Sequence, residues 1–207
     1  MLMLLCSAAL ANAAAPDSTA RVEADWILRA LAQPAPMRTD FVELRGSPML
    51  KAPLRLQGEY RRPDNATLVR EVRDPYVETT TLRQGQASIA RPGKPVRNFT
   101  LSRAPELAQL QTGFGALLSG DRALLETQYR LAAQGTQQQW TLLLTPLDRQ
   151  LKTQLQGITL HGRGEELRCI ETRPAKGDLQ RTLLGSAAKS AATNATTDAL
   201  VSLCHGG

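Results

Sequence analysis

The sequence predicts an α+β fold in which helices pack on one face of a curved antiparallel sheet. Short segments with alternating apolar and polar residues recur along most of the chain, and Gly, Pro or Asn separates them. Helical patterns are confined to the start and the middle of the chain, and grouped helices beside runs of strands favour the α+β class. The length of 207 residues suits one domain with a single core.

The first residues resemble a secretory signal peptide, which we place at residues 1–13. Residues 1–10 are mostly apolar, and Ala11-Asn12-Ala13 follows them as an A-x-A cleavage site. No Lys or Arg precedes Arg21, so the usual positive n-region is missing, and the alternative is an ordinary apolar N-terminal helix. The apolar stretch is too short to span a bilayer. We therefore expect an exported protein.

The first half of the remaining chain predicts one helix and then a meander of strands. The helix is expected over Ser18–Leu31, with Ser18 as its N-cap and Pro34 beyond its end. Alternation of apolar and polar residues makes one face of the following strands apolar and the other polar. The predicted strands are Phe41–Arg45, Leu54–Arg61, Thr67–Arg73, Tyr76–Arg83 and Ala87–Ala90.

The second half predicts two helices and a second set of strands. Ala104–Leu118 carries an apolar stripe at helical spacing, although Gly113 and Gly115 weaken the helix there. A short third helix follows Asp121. The predicted strands are Glu126–Gln134, Gln138–Thr145, Ile158–His161, Leu167–Thr172 and Leu179–Leu184. The domain is thus expected over residues 18–184, and residues 185–207 form a low-complexity tail rich in Ala, Ser and Thr.

Two cysteines remain once the leader is removed. In an oxidising compartment, Cys169 and Cys204 suggest one disulfide, which would fasten the end of the tail to a strand. The alternative is two separate thiols. The chain has no Cys-x-x-Cys or His-x-x-x-His spacing, so we expect neither a metal site nor a cofactor.

The net charge of +6 and the pI near 9.6 raise the possibility of nucleic-acid binding. Acidic residues interrupt the basic ones throughout, as in residues 70–74, and no aromatic stacking pattern accompanies them. We therefore exclude nucleic acid as a partner and favour attraction to anionic membrane surfaces or to acidic partners.

Patterns typical of catalysis are weak. The chain has no nucleophile-elbow motif, and Gly162-x-Gly164 lacks the following helix of a phosphate loop. His161 is interpreted as a structural residue, and Glu165-Glu166 as a solvated hairpin tip. We do not expect an enzyme.

A series of short motifs then points to a family. The sequence resembles the LolA-like family of periplasmic outer-membrane lipoprotein carriers, and in particular its divergent branch found beside lipid or aryl-polyene biosynthesis genes. The resemblance extends from Trp26 to Leu184. The motifs, in order, are Phe41 with Leu44-Arg45, Pro53-Leu54, Gly58-x-Tyr60-x-Arg62-Pro63, Pro75-x-x-Glu78, the Gly85 turn, Leu118-Ser119-Gly120-Asp121, Trp140-x-Leu142-x-Leu144-x-Pro146-x-Asp148 and Gly177-Asp178.

The resemblance implies a function as well as a fold. The family binds acyl chains on the concave apolar surface of an incomplete barrel and passes its cargo from an inner-membrane donor to an outer-membrane acceptor. Arg62-Pro63 matches the family's Arg-Pro pair, whose arginine ties the helical lid shut through backbone contacts. The resemblance therefore implies lid control by Arg62 and a monomeric carrier.

Nine residues are the predicted lining of the acyl-chain cavity, although any of them could instead be ordinary core. The nine residues are Leu44, Leu56, Leu68, Trp140, Leu142 and Leu144 on strands, and Leu110, Phe114 and Leu118 on the covering helix.

The alternatives to a carrier are a periplasmic adaptor that does not shuttle cargo and an accessory acyl hydrolase or transferase.

Overall fold

The computed structural model describes residues 21–46, 53–103, 117, 120–193 and 195–206. The predicted signal peptide and nearly all of the helix expected over Ala104–Leu118 lie outside these residues. The helices are α1 Ala24–Leu31, α2 Arg122–Gln128, α3 Arg149–Lys152, α4 Gly185–Ser190 and α5 Thr197–Cys204. The strands are β1 Met37–Arg45, β2 Leu54–Asp64, β3 Thr67–Asp74, β4 Glu78–Arg83, β5 Gln86–Ala90, β6 Arg97–Thr100, β7 Tyr129–Gly135, β8 Trp140–Pro146, β9 Leu155–Arg163, β10 Glu166–Pro174 and β11 Gln180–Leu184.

All eleven strands belong to one antiparallel sheet, in the order β6-β5-β4-β3-β2-β1-β11-β10-β9-β8-β7. Two meanders, β1–β6 and β7–β11, meet where β1 pairs with β11 in the register Phe41 to Leu184. The two edge strands, β6 and β7, do not pair with each other, so the sheet is open. The predicted fold class is confirmed.

The sheet is strongly curved. Ile89 of β5 and Leu144 of β8 line the same cavity, although eight strand positions separate them. In a flat sheet, with strands about 4.8 Å apart, they would be roughly 38 Å apart. We call the side that faces the cavity the inner face and the opposite side the outer face.

The first helix begins later than predicted. Its first residue is Ala24, because the chain before it is extended and pairs with the end of β7. Arg21 forms a β-bridge with Thr136, and the Val22 N–H donates to the Gly135 carbonyl at 3.0 Å. The predicted N-cap, Ser18, lies outside the described residues.

Three further differences lie at element ends. The strand β6 was not predicted, since Arg97–Thr100 has few apolar residues, and it pairs with β5 at the edge of the sheet. Residues 126–128 end helix α2 rather than begin a strand, and the Asp121 side chain caps that helix by accepting from the Leu124 N–H at 2.9 Å. The strand β2 continues through Pro63 to Asp64, with a register shift after Arg61.

The segment after Leu184, set apart by its composition, folds into α4 and α5 on the outer face of the sheet. Ala187, Ala188 and Leu200 are buried there against Leu44 and Leu183. The central strand β1 is therefore covered on both faces, which explains its run of four buried residues, 41–44. Among the described residues, no helix has the length and apolar character needed to cross a membrane.

Candidate functional site: an apolar cavity with a charged end

The inner face of the sheet surrounds a cavity of about 430 Å³. Strands from both meanders contribute aliphatic side chains to its wall, and Leu117 contributes another from the segment between β6 and α2. The main apolar lining residues are Leu68, Leu82, Ile89, Leu117, Leu144, Leu155, Ile158, Leu160 and Ile170.

One part of the cavity wall is charged. Glu43 is buried and accepts hydrogen bonds from two guanidinium groups, Arg70 Nη2 at 2.8 Å and Arg45 Nε at 2.9 Å. Two cations thus share one carboxylate, and the group carries one net positive charge. Glu78 also lines the cavity, and Arg91 Nε donates to its carboxylate at 2.6 Å.

Tyr60 lies beside this group and is buried. Burial, reinforced by the negative charge of Glu43, raises the pKa of Tyr60 to about 12, while Arg70 acts in the opposite direction. The Arg70 guanidinium also lies 4.9 Å from the centre of the Phe41 ring, where the ring attracts a cation. We call this group of Glu43, Arg45, Arg70 and Tyr60 the charged end of the cavity.

The structure brings some of the predicted cavity residues to the cavity and places others elsewhere. Leu68 and Leu144 line it. Leu56, Trp140 and Leu142 are buried in the inner-face core without lining the cavity. The Trp140 indole N–H donates to the Gly164 carbonyl at 2.8 Å, and the ring covers Gly162, where any side chain would overlap it. Leu110, Phe114 and Leu118 lie outside the described residues.

The assignment of Leu44 to the cavity was wrong. In β1, Phe41, Glu43 and Arg45 face inward, so Leu44 points to the outer face and packs beneath α4 and α5. The prediction assumed that the more apolar residues of a strand face the cavity. In this strand the outer face is also buried, and the inner face carries the charged pair.

Arg62 connects β2 to the segment after α1. Its guanidinium is buried, and Nη1 donates to the Gln33 carbonyl at 2.9 Å while Nη2 donates to Asn65 Oδ1 at 3.0 Å. The backbone acceptor lies after α1, and the covering helix expected over Ala104–Leu118 lies almost wholly outside the described residues, so lid control by Arg62 stays a prediction.

Sequence analysis missed the charged end of the cavity. Arg70 stands between Leu68 and Val72 at a spacing of two residues, which is the signal that places all three on one face of β3. An arginine in that register must be buried or must line a cavity, and buried charges need partners. Its partner Glu43 comes from a different strand, so no local pattern identifies the pair.

A second group of polar residues lies on the outer face. A disulfide of 2.05 Å joins Cys169 to Cys204, next to Glu171 and two histidines. His161 and Arg181 lower the pKa of Glu171 to about 2, against the opposing effect of burial, so its carboxylate is ionised. The Arg181 Nε donates to Glu171 Oε1 at 2.7 Å.

The open antiparallel sheet curved around a largely aliphatic cavity is a binding or carrier-type fold. The family model described as "Outer membrane lipoprotein carrier protein LolA-like" matches residues 13–207, so the chain belongs to this LolA-like family. No match is found among the curated proteins.

Two solved structures are similar to the chain. A LolA superfamily protein from Nitrosomonas europaea is 14% identical with a TM-score of 0.40, and the match covers 79% of this chain and 91% of that one. A chain of the Pseudomonas aeruginosa MucA/MucB complex is 20% identical with a TM-score of 0.41, and the match covers 78% of this chain and 55% of that one.

Proposed function

We propose that the protein is a periplasmic carrier that binds the acyl chains of lipoproteins or lipid-like products and delivers them toward the outer membrane. The observation that carries this proposal is the cavity of about 430 Å³ with its aliphatic wall. Its size falls within the range of about 300–1,000 Å³ typical of small-ligand sites. The chain performs no chemistry in this proposal and needs no cofactor.

The wall suits reversible binding of hydrocarbon. Burying a methylene group yields about 0.8 kcal/mol, so an acyl chain that buries ten of them gains about 8 kcal/mol before the costs of binding. Branched aliphatic side chains such as Leu68, Leu144 and Ile158 provide this apolar contact without demanding a particular polar group from the ligand. Such a site retains cargo in water and releases it to a more favourable acceptor.

The charged end sets the direction in which cargo binds. The tail would lie among the leucines, and the polar head would lie near Arg45 and Arg70. The Arg45 side chain is about half exposed, so this end is open to solvent. One net positive charge there favours a head group that accepts hydrogen bonds or carries negative charge.

The proposed carrier is exported to the periplasm and exchanges cargo with two partners. Residues 1–13 act as the signal peptide, and the disulfide fits an oxidising compartment. A monomer then receives its cargo from an inner-membrane donor and passes it to an outer-membrane acceptor, with Arg62 controlling the opening of the cavity.

Native mass spectrometry of the full chain, purified from the periplasm of its own host, tests the proposal. We expect the protein to carry lipid at up to one molecule per chain, released by organic solvent. A lipid-free protein in a stable stoichiometric complex with a membrane protein would favour the adaptor instead. Turnover of acyl esters that His161→Ala abolishes would favour the enzyme.

A further inference from the structure

We infer that the outer face carries a binding site for a divalent transition-metal ion such as Zn²⁺, formed by His161, Glu171 and His205. This site is separate from the proposed cargo cavity, because the three residues lie on the opposite face of the sheet. Imidazole nitrogen and carboxylate oxygen are common ligands of zinc.

The two distances from imidazole nitrogen to carboxylate oxygen are close to those between ligand atoms of a tetrahedral ion. His161 Nε2 lies 3.3 Å from Glu171 Oε2, and His205 Nε2 lies 3.2 Å from Glu171 Oε1. Zinc bonds of about 2.0–2.1 Å at tetrahedral angles separate neighbouring ligand atoms by about 3.3 Å. Both imidazoles direct the same nitrogen at the carboxylate, and their ring centres are 4.9 Å apart. A small inward movement of these groups would place all three around one ion.

Three separate elements assemble this group. His161 is on β9, Glu171 is on the neighbouring β10, and His205 follows α5. The disulfide at Cys204 fastens the end of α5 to β10, one residue before His205. The covalent link therefore restricts where the second imidazole can lie, which reduces the entropy cost of forming the site.

The surroundings orient the carboxylate. Arg181 donates to Oε1 of Glu171 at 2.7 Å, and hydrogen bonds of this kind fix metal-binding carboxylates in well-formed sites. The guanidinium also adds a positive charge near the ion, so we expect weaker binding than in a closed site with four protein ligands. A pocket of about 260 Å³ lined by His161, His205 and Arg168 leaves room for a water molecule as the fourth ligand.

Cys204 lies in the same cluster, but its sulfur is not counted as a ligand. The ligand atoms of His161, Glu171, Cys204 and His205 all lie within 4.8 Å of one another. In the disulfide, the Cys204 sulfur cannot become the thiolate that binds metal. The site of the oxidised protein thus has three protein ligands.

The test uses the full mature chain without a histidine tag, oxidised and titrated with Zn²⁺ alone. The chain contains only two histidines, so a nitrogen-15 NMR spectrum of imidazole groups shows two rings. We expect Zn²⁺ to shift Nε2 of both rings, to bind at one ion per chain by calorimetry, and to raise the melting temperature. His161→Gln, His205→Gln and Glu171→Gln should each weaken binding at least tenfold.

Glu126→Gln provides the matched control. This exposed carboxylate pairs with Arg122 on α2 and is not part of the cluster. Its affinity for Zn²⁺ should equal that of the unmodified chain. The inference is overturned if neither imidazole shifts at saturating Zn²⁺, or if the three Gln variants bind as tightly as the control. These outcomes do not bear on acyl-chain binding, which is measured separately by the lipid carried on the protein.

Discussion

Arg62 is a buried cation whose two hydrogen-bond acceptors come from different parts of the chain. The Gln33 carbonyl belongs to the segment after α1, and Asn65 belongs to the turn after β2. Hydrogen bonds to charged groups contribute about 1.5–3 kcal/mol each. This side chain therefore ties the start of the fold to the edge of the inner face.

We expect Arg62→Leu to lower the free energy of unfolding by about 2–3 kcal/mol and to change the rate at which a fluorescent acyl chain leaves the protein for acceptor vesicles. A change of 1 kcal/mol in the stability of the closed state corresponds to about a fivefold change in its population. Denaturant unfolding and a vesicle transfer assay provide the two measurements. Arg61→Leu is the control, because Arg61 lies on the outer face and pairs with Glu71. Equal transfer rates in all three proteins would exclude the role in lid control.

Because of Tyr60, we expect the free energy of unfolding to fall at alkaline pH. Its folded-state pKa is raised from 10 to about 12, so the folded protein retains the phenol proton more tightly than the unfolded chain does. The stabilisation is complete below pH 10 and is lost as the pH rises from 10 towards 12, by about 2–3 kcal/mol. Unfolding of Tyr60→Phe should show a smaller decline over this range, whereas Tyr76→Phe, at an exposed position, should behave as the unmodified chain. Identical alkaline profiles for all three would contradict the assignment.

For single residues, the sequence predicted which face of a strand a side chain lies on better than it predicted the groups that the side chain contacts. Alternation correctly placed Leu68 and Leu144 on one face of their strands, and both line the cavity. The same rule failed for Leu44, because β1 is buried on both sides and alternation alone does not say which side faces the cavity. The contact between Glu43 and Arg70 depends on the curvature of the sheet and on strand pairing, which no local pattern contains.

At the scale of elements, strands were easier to predict than helix ends. Ten of the eleven strands overlap predicted segments, because alternation is strong and turn residues separate them. The start of α1 differs because tertiary pairing of Arg21 with Thr136 replaces the helical hydrogen bonds expected there. In β6, the edge position requires no continuous apolar face, so the sequence carries no strand signal.

The disulfide between β10 and α5 closes a loop with a sequence separation of 35 residues. Cross-links of this span stabilise a protein by about 3–4 kcal/mol through the unfolded chain. We expect Cys204→Ser to lower the free energy of unfolding by that amount and to loosen α5, which amide hydrogen exchange would detect. Ser202→Ala, an exposed change in the same helix, should have little effect. Thiol labelling of the oxidised mature protein at both Cys169 and Cys204 would contradict the bond itself.

In the whole molecule, helices pack on both faces of an open sheet, with α1 on the inner face and α4 and α5 on the outer face. On the outer face, α4 and α5 pack over Leu44 and Leu183, and Leu200 of α5 is buried in the same core. On the inner face, the sheet curves around space that its own described side chains leave open. The outer face thus holds a packed core, whereas the inner face combines packed core with an open cavity.

A pair of tryptophan substitutions, one on each face of the sheet, tests the proposed cargo site. Thr182 lines the cavity from β11, so Thr182→Trp should fill part of the space and weaken binding of a fluorescent fatty acid at least tenfold. Leu143 is exposed on the outer face of β8, so Leu143→Trp adds the same ring without reaching the cavity and should bind as the unmodified chain does. Fluorescence titration measures the affinity, and circular dichroism of both variants checks that the sheet is retained. Equal affinities in folded variants would mean that acyl chains bind elsewhere.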